Sequence, residues 1–303
     1  MIYLRRLPRF EFVRPGSLDE VCALMASTDE GEAMLLAGGT DAILQMRRRE
    51  RTPRCVIGLK SVPELAFVRE DSDGGISIGA MTSLHDLLSA PVVRRHYGVV
   101  AEAAAQIGGR ELRNVATVGG NIAGALPCAD MPPSLMALDA RLKLSSSAGA
   151  RSLPLEEFYP ALSQTAAARG ELITEIRLPP PAAFTGGAYL KYHDRHSMDM
   201  TVVGVSAVVT LDEPRGTIRD VRLTLANSAP TVVRARGAEQ ALRGIRPSKA
   251  ALAEAAETAS REASPRDSWR ANRDYRLVLI RTLTRRAVAA AYDRASAGNG
   301  ARP

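Results

Sequence analysis

Two short glycine pairs constrain how this chain can run. The first lies in Ala37-Gly38-Gly39-Thr40-Asp41, directly after the apolar run Met34 to Leu36 and before a helix predicted over 41–49. The second lies in Thr117-Val118-Gly119-Gly120-Asn121, a short extended run that ends in two glycines and an amide. Glycine has no Cβ, so consecutive glycines turn backbone N–H groups toward a common point and let a bulky anion come close. A strand, a glycine turn and a helix N-terminus in succession favour negative charge. Either pair alone is an ordinary turn signal. Both together, separated by most of a domain, predict one ligand with two phosphates gripped from two sides.

Composition removes several classes of function. With 303 residues the chain has room for two domains with real cores. Net charge is +7, but only Lys60, Lys143, Lys191 and Lys249 are lysines, and the arginines are spread along the chain. Aromatic residues are 4% of the total, so the interleaved basic and aromatic residues that stack bases are missing and no nucleic-acid partner is expected. Cys22, Cys55 and Cys128 stand singly. An iron–sulfur cluster takes four thiolates, so the chain cannot hold one alone, and odd, unspaced cysteines make no disulfide framework. Arg5, Arg6, Pro8 and Arg9 leave no apolar segment for a signal peptide. No apolar run reaches the ~18 residues of a membrane span. The expectation is a cytoplasmic protein.

The predicted fold class is α+β. Phe10 to Arg14 reads as a strand, and Ser17 with Glu20 forms a capping box ahead of a helix carried by Leu18, Val21, Cys22, Leu24 and Met25. The strand at 34–36, the helix at 41–49 with its terminal arginines, and a strand from Cys55 to Leu59 complete a β-α-β-α-β lobe over 1–59. A second lobe, 60–178, has a strand at Ile76 to Ala80 and a helix start at Ser83 and Asp86. An alanine-rich helix from Val99 to Ile107 follows, stopped by Gly108 and Gly109. A further helix runs from Pro132 to about Ala140, and strands lie at Leu142 to Leu144 and Glu171 to Leu178. Pro179-Pro180-Pro181 opens a linker, 179–184, because three prolines are stiff and donate no backbone hydrogen bond. The small domain beyond it, 185–293, has three antiparallel strands, Tyr189 to Tyr192, Val202 to Leu211 and Ile218 to Ala226. Helices follow at Arg234 to Leu242, Ser248 to Arg261 and Tyr275 to Tyr292. Residues 294–303 read as a disordered tail.

Other chemistries find little support. His193 and His196 have the spacing of a helical metal pair, but they fall near a strand end without a third ligand. Gly204-Val205-Ser206 begins like a nucleophile elbow, yet position 208 is Val rather than Gly. No GxGxxG or Walker sequence occurs.

These residues carry a resemblance. The pair AGGTD and TVGGN, the phrases IGAMTSLHDL and LPCADMPPSLMALDA, and the downstream run GGAYLKYHDRHSMDMTVVGVSAVV resemble the flavin-binding medium subunit of the molybdenum hydroxylases. That group includes carbon monoxide dehydrogenase and the xanthine dehydrogenase flavin domain. The likeness covers about residues 4 to 293 in the expected order. It implies a two-lobed FAD-binding domain of the PCMH/vanillyl-alcohol-oxidase-like type over 1–178, followed by a small α+β domain. By the resemblance, Ala37, Gly38, Gly39, Thr40 and Asp41 offer backbone N–H groups and the Thr40 hydroxyl to the FAD diphosphate. Thr117, Gly119, Gly120 and Asn121 grip its other side, and Asp130 accepts hydrogen bonds from ribityl or ribose hydroxyls. Ile107 lies beside the flavin, and Gly79 to Thr82 line the same cleft. Lys191 and Asp199 arrive from the second domain, which folds over the isoalloxazine, where a cation stabilises the reduced flavin. One position departs: carbon monoxide dehydrogenase-like subunits carry an aromatic residue after that aspartate, and this chain carries Met200. A methionine fills space but stacks less well on a ring face.

The resemblance implies an oxidoreductase subunit whose flavin performs the redox step, with no catalytic residue or metal ligand of its own. In the family, a molybdenum cofactor in a large subunit oxidises substrate, and electrons pass through two [2Fe-2S] clusters in a small subunit. FAD then delivers them to NAD, quinone or oxygen. A large molybdenum-binding subunit and a small [2Fe-2S] subunit are therefore the expected partners, assembled as a dimer of heterotrimers. Two other readings compete. A free-standing FAD-dependent oxidoreductase needs its own substrate base and a flavin-attaching His, Cys or Tyr. A non-catalytic assembly subunit that has lost FAD is opposed by the intact glycine pairs.

Overall fold

Three sheets, each with its own burial pattern, organise the chain in the computed structural model, which describes residues 6–298 apart from residues 30 and 196. The first lobe comprises β1 (Glu11–Val13), α1 (Leu18–Ser27), β2 (Ala33–Leu36), α2 (Ala42–Arg48) and β3 (Cys55–Gly58). Its strands make a parallel sheet in the order β1-β3-β2, the arrangement that helical crossovers allow. The Ser17 half of the predicted capping box forms, its hydroxyl accepting from the Glu20 N–H at 3.2 Å, whereas the Glu20 carboxylate takes the Gly16 N–H, one residue before the N-cap, at 2.7 Å.

The second lobe holds β4 (Val68–Glu70), β5 (Ile76–Gly79), α3 (Leu84–Ser89), α4 (Pro91–His96), α5 (Gly98–Ala105), α6 (Arg110–Arg113), α7 (Val118–Ala123), α8 (Met131–Ala137), β6 (Arg141–Ser146), β7 (Gly149–Pro154) and β8 (Leu172–Leu178). Its sheet is antiparallel in the order β4-β5-β8-β6-β7. The sequence pattern missed β4 and β7, the two edge strands. Most of their side chains face water, so they lack the apolar alternation that marks a half-buried strand. A second correction concerns 117–121. This run is helical rather than extended: Thr117 caps α7 and both glycines lie in its first turn.

The third sheet contains β9 (Thr185–Tyr192), β10 (Val203–Leu211), β11 (Ile218–Ala226) and β12 (Val233–Arg234), antiparallel in the order β12-β11-β10-β9. The three predicted strands are present, and the two-residue β12 adds a fourth. All nine residues of β10 are buried. Helices α9 (Arg236–Leu242), α10 (Lys249–Glu262) and α11 (Arg273–Ala297) complete this part of the chain. Val203, Val205, Ala207 and Val209 join the core shared with α11, whereas Val208 and Tyr189 join the core of the second lobe. The sheet is thus covered on both faces, with α11 on one side and α5 and α8 on the other.

Consecutive glycines in β9 make this double coverage possible. A Cβ on Gly186 would meet the α11 backbone, 2.3 Å from the Ala291 carbonyl, and one on Gly187 would lie 2.9 Å from Val99 Cβ of α5. Successive residues of a strand face opposite sides, so each glycine admits one helix. The same packing corrects the predicted tail: Ala291 and Ala295 are buried and α11 continues to Ala297, so 294–297 are ordered. Residues 299–303 lie outside the described residues. At the triple proline, the Tyr97 hydroxyl donates to the Pro179 carbonyl at 2.9 Å. Burial, then the nearby charges of Asp73, Asp71 and Glu70, push that phenol up to about 12, which keeps it a donor.

Candidate functional site

The turn from β2 into α2 has unused hydrogen-bonding capacity. Gly39 sits at φ +76°, a conformation glycine adopts without strain. The N–H groups of Gly38, Gly39, Thr40 and Asp41 find no partner among the described residues, and neither does the Thr40 hydroxyl. The Asp41 side chain makes no capping bond and is exposed. Half-buried Ala37, Gly38, Gly39 and Thr40 therefore surround a set of donors that water or a ligand must satisfy.

The second glycine pair behaves differently. Val118 N–H donates to the Thr82 carbonyl at 3.1 Å, Gly119 N–H to the Ala80 carbonyl at 2.9 Å, and Asn121 N–H to the Thr117 carbonyl at 3.0 Å. Gly120 N–H donates to Thr117 Oγ1 at 3.1 Å. All four donors are engaged within the chain, so this is not a second cradle of free N–H groups. Its glycines serve close approach instead. A Cβ on Gly119 would lie 2.6 Å from Ala80 Cβ, and one on Gly120 would lie 2.8 Å from Thr117 Oγ1 and 3.7 Å from Ala37 Cβ. On the other motif, a Cβ on Gly38 would sit 2.1 Å from the Val115 carbonyl oxygen. Gly38 thus packs without room for a Cβ against Val115 and Ala116, just ahead of the second motif, while Gly120 comes within ordinary contact of Ala37. Asn121 adds a donor here. Its Oδ1 accepts from Met131 N–H at 3.2 Å, which leaves Nδ2 without a partner among the described residues.

Several predicted lining residues lie behind the wall of the cleft. Gly79, Thr82, Thr117 and Gly119 are buried within the chain itself. The Thr82 hydroxyl accepts from Phe67 N–H at 3.2 Å and donates to the Phe67 carbonyl at 2.8 Å. A Cβ on Gly79 would lie 2.3 Å from the Leu65 carbonyl oxygen. These residues hold the wall in place rather than face a ligand.

Asp130 and Lys191 meet each other. Asp130 precedes α8, and Lys191 lies near the end of β9. The Asp130 Oδ1 accepts from the Tyr189 hydroxyl and from Thr201 Oγ1, both at 2.5 Å, and Oδ2 accepts from Lys191 Nζ at 3.1 Å. Lys191 Nζ also donates to the Gln106 carbonyl at 2.9 Å. The Lys191 side chain is 2% exposed and that of Asp130 9%, so the pair is a bolt between the two parts of the chain. A carboxylate has about four lone-pair positions, which leaves one for an outside hydroxyl. Burial, reinforced by the charge of Asp130, holds the Tyr189 phenol far above its ordinary range, so it remains protonated and donating. Tyr189 and Thr201 were missed in the sequence, although Tyr189 shares a strand face with Lys191 by its i,i+2 spacing.

Ile107 is half-buried in the turn after α5. Across from that turn, a Cβ on Gly109 would lie 3.4 Å from Met198 Sδ, which brings the loop after β9 against it. Asp199 organises this loop: its carboxylate accepts from the N–H groups of Asp194, Arg195 and Met200 at 2.7, 2.9 and 3.0 Å. Met198 and Met200 are exposed. Of the paired histidines, His196 lies outside the described residues. Among the described residues no group of three His, Cys, Asp or Glu could hold a metal, and no helix is long and apolar enough to cross a membrane.

Comparison with known proteins supplies the lineage. The sequence model described as the FAD binding domain in molybdopterin dehydrogenase matches residues 8–181, and that of the CO dehydrogenase flavoprotein C-terminal domain matches residues 188–291. The carbon monoxide dehydrogenase medium chain of Hydrogenophaga pseudoflava is 34% identical over 287 residues, covering 95% of this chain and 98% of that one. The xanthine dehydrogenase FAD-binding subunit of Escherichia coli O157:H7 is 32% identical over 279 residues, covering 92% and 94%. Among solved structures, a carbon monoxide dehydrogenase of Hydrogenophaga pseudoflava that lacks the Mo-pyranopterin moiety superposes with a TM-score of 0.91 at 35% identity, over 95% of this chain and 99% of that one. Quinoline 2-oxidoreductase from Pseudomonas putida 86 gives 0.89 at 28% identity, over 96% and 99%. With both domains matched in order, unpartnered donors at the first glycine motif and contact between the two motifs, the chain belongs to the FAD-binding medium subunits of the molybdenum hydroxylases, the family of carbon monoxide dehydrogenase and xanthine dehydrogenase.

Proposed function

We propose that this chain is the electron-delivering flavoprotein of a heteromeric molybdenum hydroxylase. It takes electrons from [2Fe-2S] clusters in a small partner subunit, which draws them from a large molybdenum-binding subunit, and passes them to NAD, quinone or oxygen. The observation that carries this reading is the set of unpartnered donors at 38–41, next to the point where the two glycine motifs meet. A diphosphate needs that kind of site, so the residues fit FAD.

Bound FAD supplies the redox chemistry, and the chain binds and orients it. The N–H groups of Gly38 to Asp41, the Thr40 hydroxyl and Asn121 Nδ2 would hold the diphosphate. The remaining lone pair of Asp130 takes one cofactor hydroxyl. Ile107 would supply an apolar contact for the flavin, and Lys191, paired with Asp130, would fix the wall of the site beside it. Asp199, which accepts from the Asp194, Arg195 and Met200 N–H groups, would keep the segment carrying Met198 and Met200 folded for that contact. The division into 1–178, a linker at 179–184 and 185–293 is supported by the ends of the two family matches. A cytoplasmic dimer of heterotrimers completes the reading.

The test is the visible spectrum of the tagged chain purified from its own cells, before and after chemical reduction. The expected result is a flavin band over broad iron–sulfur absorption, both bleaching, with two co-purifying subunits. A flavin-bearing chain that reduces with its own substrate and without partners overturns the reading in favour of a free-standing oxidoreductase. An assembled complex without flavin overturns it in favour of an assembly subunit.

A further inference from the structure

We infer that Arg113 is a positioning residue for the flavin, which clamps the Ile107 turn and sets an uncompensated positive charge beside the ring. The argument begins with the end of α5. A helix leaves its last carbonyls without intrahelical partners, and the helix dipole makes that end negative. Here the carbonyls of four successive residues are met by side-chain cations. Arg113 Nη1 lies 3.0 Å from the Ala105 carbonyl oxygen, 3.0 Å from that of Ile107 and 3.3 Å from that of Gly108. Lys191 Nζ takes the carbonyl of Gln106 at 2.9 Å. Gly108 has φ +52°, which allows the tight reversal the two cations hold.

The two cations differ in how they are balanced. Lys191 is paired with Asp130. Arg113 is half-buried, has no carboxylate within 4.0 Å among the described residues, and its Nε is buried without a partner. Only carbonyl dipoles offset its charge. A positive charge fixed by three carbonyls and only partly exposed to solvent still favours negative charge placed beside it, so Arg113 favours the electron-rich form of a ring that lies against Ile107. This inference rests on the FAD placement proposed above.

The experiment uses the purified holoenzyme complex with Arg113→Gln and Arg113→Lys. The readouts are flavin content, thermal stability and flavin midpoint potential from a spectral redox titration. The charge role predicts that Arg113→Gln retains FAD but favours the reduced form about tenfold less, a shift of about 30 mV to more negative potential for a two-electron couple. Arg113→Lys restores most of it. A purely structural role lowers thermal stability in both variants and leaves the potential at its wild-type value, and that result overturns the inference. If Arg113→Gln loses FAD, retention by Arg113→Lys supports the charge role, and loss by both overturns it. Absence of flavin from the wild-type complex itself would instead refute the FAD reading.

Discussion

Removing the Asp130 carboxylate gives the sharpest test of how the two parts of this chain are held together. Asp130→Ala leaves the Lys191 ammonium, whose side chain is 2% exposed, with one protein acceptor, the Gln106 carbonyl. It also strands the hydroxyls of Tyr189 and Thr201, both buried. Breaking a buried ion pair by deleting one partner costs ~3–5 kcal/mol. At ~1.6 °C per kcal/mol for a chain of this size, the melting temperature of the FAD-free protein falls by about 5–8 °C. Asp130→Asn keeps an acceptor for the hydroxyls but still leaves the ammonium unpaired, so it loses most of the same stability. Adding Lys191→Met to Asp130→Asn removes the orphan charge and recovers part of the loss, with a coupling energy of ~1–3 kcal/mol. The assay is thermal unfolding followed by far-UV circular dichroism. A melting temperature for Asp130→Ala within about 2 °C of wild type, or strict additivity in the double variant, refutes the reasoning.

Three further outcomes follow from the cleft. Gly38→Ala places a Cβ 2.1 Å from the Val115 carbonyl oxygen, where backbone cannot yield, so the glycine motifs separate and FAD is lost; flavin content at the wild-type level contradicts this. Thr40→Val keeps the shape but deletes a hydroxyl without a protein partner. A hydrogen bond to a charged group is worth ~1.5–3 kcal/mol, so the FAD Kd rises by about ten- to a hundredfold while the FAD-free melting temperature holds, and an unchanged Kd rules the contact out. For Asp199, burial works to raise the carboxyl, but the N–H groups of Arg195, Asp194 and Met200 outweigh it and hold the group below its ordinary range. A depressed carboxyl adds stability above its unfolded pKa and loses it as pH falls through the folded value. The turn that Asp199 ties to Asp194, Arg195 and Met200 therefore holds at neutral pH and yields to protease only below about pH 4, whereas Asp199→Asn is cut equally at both; a wild-type turn already cut near neutral pH defeats the argument.

Local chemistry made much of this fold readable. The N-cap at Ser17, the apolar run before Gly38 and the valine-rich run of β10 each report a short-range preference, and each element is present. What stayed hidden depends on distant partners. The Gly119-Gly120 pair reads as an anion turn from its neighbours, but its role is set by Ala80, which takes up the Gly119 N–H from another part of the chain, while Thr82 takes that of Val118 beside it. Asp130 and Lys191 each carry the chemistry of a cofactor contact, and nothing local discloses that they pair across 61 residues. The end of α11 looks like a polar tail because alanine is small, yet Gly186 makes room for those alanines to pack.

The double coverage of the third sheet governs how this polypeptide can be divided. Cutting at the three prolines strips two surfaces at once: α5 and α8 lose the strands they rest on, and β9 and β10 lose one of their two covers. Large bare apolar surfaces of that kind drive association in water. Gene fission at the most obvious seam in the sequence is therefore closed to this protein. Insertion is open between Glu213 and Pro214, which are exposed, whereas the Arg215 and Gly216 carbonyls just beyond are held by the Tyr292 hydroxyl of α11.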